Sequence, residues 1–425
     1  MRPNSWLAAA LALALSACTS ASDEASRAGA AGSGGLSPAP ADASGGAAVN
    51  NAGGTAASST SGSGGLLGGS AAGSGGNANS GSANNGGSPN DGGSSGTSSN
   101  LAGAGGAAAA SERCELANYD AAKPPQTLAL TGNLGTHDPM VFNDAGHFYL
   151  FSTGNNLGAK TSTDLLKWQG VADVFSAETR PAWLADAVPG VSNLWAPDVS
   201  FFGGQYHLYY SASTFGSNHS CIGHATRASL SAGAWLDQGQ VICSNASTST
   251  KDNWNAIDPN AIVDQTGQAW LALGSFWGGI KLIKLDQTGA RLGTSLDALA
   301  ARPNAGGAVE GAFIVRRCGF YYLFTSWDAC CKGADSTYNT RYGRSATLAG
   351  PYVDRAGVSL LQGGGSLLLE GGDRYRGPGH NAVVFTDTGA YNVYHAYDAN
   401  NNGASVLRVS ELVWDSDGWP ISGGP

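Results

Sequence analysis

Five short segments of this 425-residue chain open on a charged or ionisable side chain: Asp138-Pro139, Asp198-Val199, Asp258-Pro259, Glu310-Gly311 and His380-Asn381. Carboxylates and an imidazole brought to one place have no packing rationale, because buried charge is costly unless it is paired or functional. Aromatic and amide side chains lie in the connections near them. Trp195 stands three residues before Asp198, Asn255-Ala256-Ile257 leads into Asp258, and Ser275-Phe276-Trp277 and Phe215-Gly216 follow strand-like runs. Any one of these tryptophans, taken singly, reads as core. Together with the acids they describe a different site. Sugar rings present apolar C–H faces and hydroxyl edges, so sites that hold them combine flat aromatics with carboxylates and amides.

The elements that must position these groups recur with them. Each head is followed by a short apolar run, namely Val141-Phe142, Phe201-Phe202, Ile262-Val263, Ile314-Val315 and Val384-Phe385. A Gly-containing turn then leads to a run rich in aromatic and β-branched residues, as a pleated surface prefers. Each copy reads as a β-hairpin, and the copies lie roughly 50 to 70 residues apart, in the range of large propeller blades. Five hairpin-based sheets with no helical period between them predict an all-β, five-bladed β-propeller. Equivalent positions of all blades then converge on one axis, and the heads above are the residues placed there.

Composition limits where this fold begins. Residues 1–17 read as a lipoprotein-type signal peptide. Arg2 supplies the charge, and the apolar stretch from Leu7 to Leu15 is too short to span a bilayer. It ends in Leu15-Ser16-Ala17-Cys18, which resembles a lipobox, so Cys18 is the expected lipidation site and the only expected link to a membrane. Thr19 after it is compatible with outer-membrane sorting. Residues 18–113 are mostly Gly, Ala, Ser and Asn, too poor in apolar bulk to offset the entropy of ordering, and read as a disordered tether. Residues 114–425 remain for one large β domain. The net charge of −9 disfavours a nucleic-acid partner, since phosphate binding needs a basic face. With Cys18 set aside, six of the 7 cysteines are left, an even set in an exported protein. Cys221 and Cys243 flank a turn within one blade and are the first candidate pair. Cys330 and Cys331 are adjacent and are each expected to find a partner elsewhere, for example one of them with Cys318. No spacing among them suits zinc.

Several motifs, in order, resemble glycoside hydrolase family 43: Thr136-His137-Asp138-Pro139, Trp195-Ala196-Pro197-Asp198, Asn255-Ala256-Ile257-Asp258-Pro259, Ser275-Phe276-Trp277, Val309-Glu310-Gly311-Ala312 and Gly379-His380-Asn381. Cys330-Cys331-Lys332-Gly333, Ser336-Thr337-Tyr338 and Gly343-Arg344-Ser345 resemble its endo-1,5-α-L-arabinanase branch. The resemblance implies a five-bladed propeller that hydrolyses arabinofuranosyl bonds in arabinan with inversion. It implies Asp138 as general base, Glu310 as general acid and Asp258 as the third acid that raises the pKa of Glu310. Inversion asks for two carboxyls far enough apart to admit a water, and an acid poised near neutral pH asks for burial or a like charge beside it. The resemblance also places Asp138, Trp195, Gly216, Asn255, Ala256, Ile257, Asp258, Ser275, Phe276 and Trp277 in the substrate groove. It places His380 near an axial calcium held largely through water, an unusual shell for an ion that prefers oxygen ligands. Asp198 has no catalytic counterpart and is expected to be structural. A monomer is expected, either extracellular or anchored to the outer membrane. Two alternatives remain open: an exo-acting α-L-arabinofuranosidase or β-xylosidase of the same family, and a non-catalytic carbohydrate-binding lipoprotein.

Overall fold

A computed structural model describes residues 114–245 and 253–425. The expected signal segment, Cys18 and the tether lie outside the described residues. Among the described residues twenty-one strands form five sheets, each in chain order outward from its inner strand apart from β1 (Thr131–Gly132). Blade one is β2 (Met140–Asp144), β3 (His147–Ser152), β4 (Gly158–Ser162) and β5 (Lys167–Val171), with β1 (Thr131–Gly132) added parallel to β5. Blade two is β6 (Leu194–Phe202), β7 (Gln205–Ala212), β8 (Ser220–Arg227) and β9 (Leu236–Ser244). Blade three is β10 (Asn260–Val263), β11 (Ala269–Leu273), β12 (Ile280–Leu285) and β13 (Arg291–Ala300). Blade four is β14 (Val309–Arg317), β15 (Phe320–Trp327), β16 (Asn339–Ser345) and β17 (Ser366–Leu369). Blade five is β18 (Tyr375–Phe385), β19 (Ala390–Asp398), β20 (Ala404–Trp414) and β21 (Pro420–Ser422). The first strands β2, β6, β10, β14 and β18 neighbour one another in a closed ring, the expected five-bladed propeller. No helix among the described residues is long and apolar enough to cross a membrane.

Turn chemistry explains the first hairpin of blades one, two and four. Ala145-Gly146, Gly203-Gly204 and Cys318-Gly319 all have positive φ at both positions. This is the two-residue turn whose twist matches that of the flanking strands. The seams between blades carry the core. Each has its own buried cluster, for example Met140, Phe142, Leu208 and Tyr210 between blades one and two. The seam between blades five and one is filled by Leu128, Leu130 and Leu134 of the segment before β2, packed on Val141, Leu150, Val393 and Leu407. That segment also bonds to blade five, where Leu128 N–H donates to Val409 O at 2.8 Å. Polar straps join the inner strands as well. Buried Asp198 accepts from Asn260 Nδ2 at 3.0 Å and Ala261 N–H at 2.8 Å, and Asn260 Oδ1 accepts from Ile314 N–H at 2.8 Å. Asp198 therefore ties blade two to blade three, in keeping with the structural role expected of it.

Cys221 and Cys243 are register partners on β8 and β9 and form a disulfide. The expectation for the other four fails. Cys318 pairs with Cys114, and Cys330 pairs with Cys331. Cys318 sits in the turn before β15 and Cys330 lies beyond its far end, and eight extended residues span about 26 Å. A disulfide between Cys318 and either member of the adjacent pair is out of reach.

Candidate active site

The inner strands do not enter the ring in regular extended conformation. Asp138, Ala196, Asp258 and His380 have φ of 49°, 45°, 57° and 48°, and Gly311 has 59°. One residue of positive φ therefore opens the inner strand of every blade. In blades two, four and five it coincides with a register shift, between Trp195 and Asp198, Glu310 and Phe313, and Gly379 and Ala382. A bulge of this kind turns a side chain away from the pleat and costs conformational energy in a non-glycine residue. Here it presents Asp138, Asp258 and His380. The pairings Met140↔Phe151, Asp198↔Tyr209, Asn260↔Ala272, Phe313↔Phe324 and Ala382↔Val393 fix the true equivalence of the blades. Asp198 is the counterpart of Met140, two residues past the bulge, and Glu310 stands one residue before it. The simple alignment of heads read from sequence is corrected at these two blades. Proline and glycine after an acid mark the bulge region but do not count its residues.

Asp138 is nearly buried and densely partnered. Its Oδ2 accepts from Thr153 Oγ1 at 2.6 Å and lies 2.9 Å from His137 Nδ1, while Oδ1 lies 3.3 Å from His380 Nδ1 and 3.6 Å from His395 Nδ1. The Asp138 N–H donates to His395 Nδ1 at 3.1 Å. Burial by itself would raise this carboxyl, but the charges of His137 and His380 and the bond from His137 outweigh it and hold it well below the usual carboxylate range. Burial lowers the pKa of His380 and depresses His395 strongly.

Glu310 has the opposite setting. Ser275 Oγ donates to Oε2 at 2.6 Å and Tyr338 OH donates to Oε1 at 2.9 Å. Burial raises its pKa, the two hydroxyls offset part of that, and the charge of Asp138 adds to the rise. Asp258 is raised further, by burial first, then by the charges of Glu310 and Asp138, against one bond from Gly311 N–H at 3.0 Å. Two buried carboxyls that repel each other titrate as a pair, and this pair holds a proton more tightly than free carboxyls do, beside an Asp138 that gives its proton up more readily. The repulsion expected to act on Glu310 is felt more at Asp258, which has fewer donors.

The remaining groove residues fall into place around these acids. Ser211 Oγ, on β7 opposite Trp195, accepts from Asp258 N–H at 2.9 Å. Asn255, Ala256 and Ile257 form the buried approach to Asp258, and Asn255 Oδ1 is buried with no hydrogen-bond partner. Phe276 N–H donates to Val309 O at 2.9 Å, which seats Ser275-Phe276-Trp277 beside Glu310 and leaves Trp277 45% exposed. Gly216 lies in the β7–β8 connection next to the exposed Phe215 and is linked to the groove through Ser217 O, which accepts from Asn255 Nδ2 at 3.4 Å. Thr153, His395 and Tyr397 were not legible in the sequence. Thr153 follows β3 with no motif of its own, and His395 and Tyr397 lie in β19, which is buried almost throughout, so burial does not mark which of its residues meet the site. For a cation, His137, Asp138 and His395 bring one ligand atom each within 4.8 Å of one another, and His395 Nε2 is buried with no partner. These residues and His380 are rich in nitrogen, so a calcium ion here has to take most of its oxygens from water.

Comparison with known proteins agrees with this geometry. The profile of Glycosyl hydrolases family 43 matches residues 131–420. The chain is 44% identical over 289 residues to the extracellular endo-α-(1→5)-L-arabinanase 1 of Bacillus subtilis (strain 168), covering 67% of this chain and 86% of that protein. It is 40% identical over 302 residues to the extracellular exo-α-(1→5)-L-arabinofuranosidase of Cellvibrio japonicus (strain Ueda107), covering 67% and 85%. The solved GH43 endo-arabinanase from Bacillus licheniformis superposes with a TM-score of 0.64 at 45% identity, covering 69% of this chain and 99% of that one.

Proposed function

The chain belongs to glycosyl hydrolase family 43, and on that premise we propose that it cleaves internal 1,5-α-L-arabinofuranosidic bonds of arabinan with inversion. The observation that carries this reading is the opposed state of the carboxyls, with Asp138 held ionised and the Glu310–Asp258 pair holding a proton. Environments that push carboxyl pKa values apart assign base and acid. Asp138 is the base. Thr153 and His137 hold Oδ2 at short range, and Oδ1, whose histidine neighbours stand farther off at 3.3 and 3.6 Å, takes a proton from the attacking water. Glu310 is the acid and protonates the leaving glycosidic oxygen, with Ser275 and Tyr338 fixing its carboxyl. Asp258 keeps the shared proton available by repulsion. Trp195, Gly216, Asn255 to Ile257, Phe276 and Trp277 line the groove for the sugar chain.

Calcium near the axis belongs to the same proposal. His380 would hold it, with water completing the shell, and its charge would favour the ionised Asp138. The protein acts outside the cell, in keeping with its extracellular relatives, and a monomer is part of the same proposal. Lipidation of Cys18 would tether it to the outer membrane through residues 18–113. The product profile from linear 1,5-α-L-arabinan tests the proposal. Mixed oligomers at early times are expected. Release of a single short product from the first minutes identifies exo action, and no new reducing ends identifies a binder without catalysis.

A further inference from the structure

The adjacent cystine Cys330–Cys331 lies in the connection between β15 and β16, and no step of the reaction above uses it. Its place in the site is nonetheless specific. Cys331 N–H donates to Tyr397 OH at 2.8 Å, and Tyr397 OH lies 2.8 Å from His137 Nε2. His137 Nδ1 lies 2.9 Å from Asp138 Oδ2. The carboxylate accepts only, so His137 Nδ1 donates to it, and Tyr397 OH holds the other ring nitrogen. Hydrogen bonds thus join the amide, the phenol and the imidazole to Asp138 in one line. The imidazole cannot turn freely, because it stacks on His395 with centroids 4.0 Å apart. The start of this line is fixed as well. Cys331 has a φ of 63°, which a side chain rarely adopts, and closing a ring with its neighbour restrains it there. Asp328 is clamped by Arg302 Nη1 at 2.6 Å and Asn339 Nδ2 at 2.8 Å, and Gly333 packs on Gly403.

We propose that Tyr397 and the Cys330–Cys331 turn are positioning residues for the base, and that they act through His137 to set the orientation of the Asp138 carboxylate. The inference rests on Asp138 being the base. A base turned out of line loses rate without losing substrate affinity, so the signature is a fall in kcat at nearly constant KM. On linear arabinan, with the full chain, Tyr397→Phe is expected to lower kcat about tenfold, the size of one lost hydrogen bond. KM stays within about twofold. Cys330→Ala/Cys331→Ala is expected to do the same, and all three substitutions together no more than Tyr397→Phe alone, since residues on one line do not add. Unchanged kcat in folded Tyr397→Phe, a change confined to KM, or fully additive losses overturns the inference. If the cysteine variant does not fold, as read by near-UV circular dichroism, the kcat–KM split of Tyr397→Phe decides by itself. A wild-type protein that leaves arabinan intact refutes the assignment of Asp138 instead, so the two failures are distinct.

Discussion

At the scale of single residues, the site is a contest over where protons sit. Glu310→Gln removes the proton donor but keeps the shape and both hydroxyl partners. Turnover of arabinan is expected to fall on the order of 10²–10⁴-fold, with a much smaller loss on an aryl arabinoside whose leaving group needs little protonation. Equal losses on both substrates would take the acid role from Glu310. Two further substitutions are expected to move the basic limb of the pH–rate profile in opposite directions. Asp258→Asn removes the second carboxyl of the pair, so the last proton is lost more readily and the limb moves to lower pH. Ser275→Ala removes a hydroxyl that stabilises the ionised Glu310, so the limb moves to higher pH. Limbs that move together, or not at all, in folded variants with measurable activity would show that the carboxyl environments described here do not govern the rate.

At the scale of elements, a second cluster of titratable groups sits at a seam and has no place in the chemistry. His207 on β7 and His224 on β8 are buried and hydrogen-bonded at 2.9 Å, and His207 Nε2 lies 3.1 Å from Phe202 O. The β12–β13 turn of the next blade rests on them, and a Cβ at Gly289 would fall 2.5 Å from His207 Nδ1. Burial pushes His207 down to about 4 and His224 to about 3. Both rings therefore stay neutral in the fold, while the unfolded chain takes up protons below about 6.5. Their contribution is intact above that pH and is lost as pH falls from there towards about 4, at about 1.4 kcal/mol per unit for one group. Unfolding measured between pH 7 and 4.5 is expected to show this acid loss, and His224→Gln, which keeps an N–H donor, to flatten it. An unchanged slope in that variant places the acid sensitivity elsewhere. Asp198, raised by burial to about 7, works in the opposite sense, and its contribution fades as pH climbs through that value.

At the scale of the whole molecule, a propeller must close its ring, and this one closes with the segment that precedes its first blade. Cys114–Cys318 anchors the start of that segment to blade four across 204 positions of sequence. Arg317 Nη2 reinforces it by donating to Cys114 O at 3.0 Å, Leu116 O at 2.8 Å and Asn118 Oδ1 at 2.8 Å. A cross-link enclosing so long a loop stabilises by roughly 2–5 kcal/mol. Cys114→Ala/Cys318→Ala is therefore expected to lower Tm by several degrees and to leave kcat at 25 °C unchanged, because the bond lies at the opposite end of β14 from Glu310. A loss of kcat in step with Tm would tie the closure to the geometry of the site.

The sequence by itself determined the five repeats, the tight turns inside them, the Cys221–Cys243 pair and the acids of the site. All of these are local signals. Alternation and two-residue turns depend on neighbours in the chain, and an acid before proline or glycine at the head of a buried run is conspicuous wherever it stands. Only the tertiary structure decided which head residue occupies the bulge, because place relative to the bulge separates Glu310, just before it and beside the other acids, from Asp198, two residues past it and strapping two blades. It alone joined Cys114 to Cys318, a pairing that follows distance through the fold and not order along the chain, and closed Cys330 on its own neighbour Cys331. It also brought His395 and Tyr397, on the second strand of blade five, to His137 and Asp138 at the head of blade one, which blade five meets only when the ring shuts.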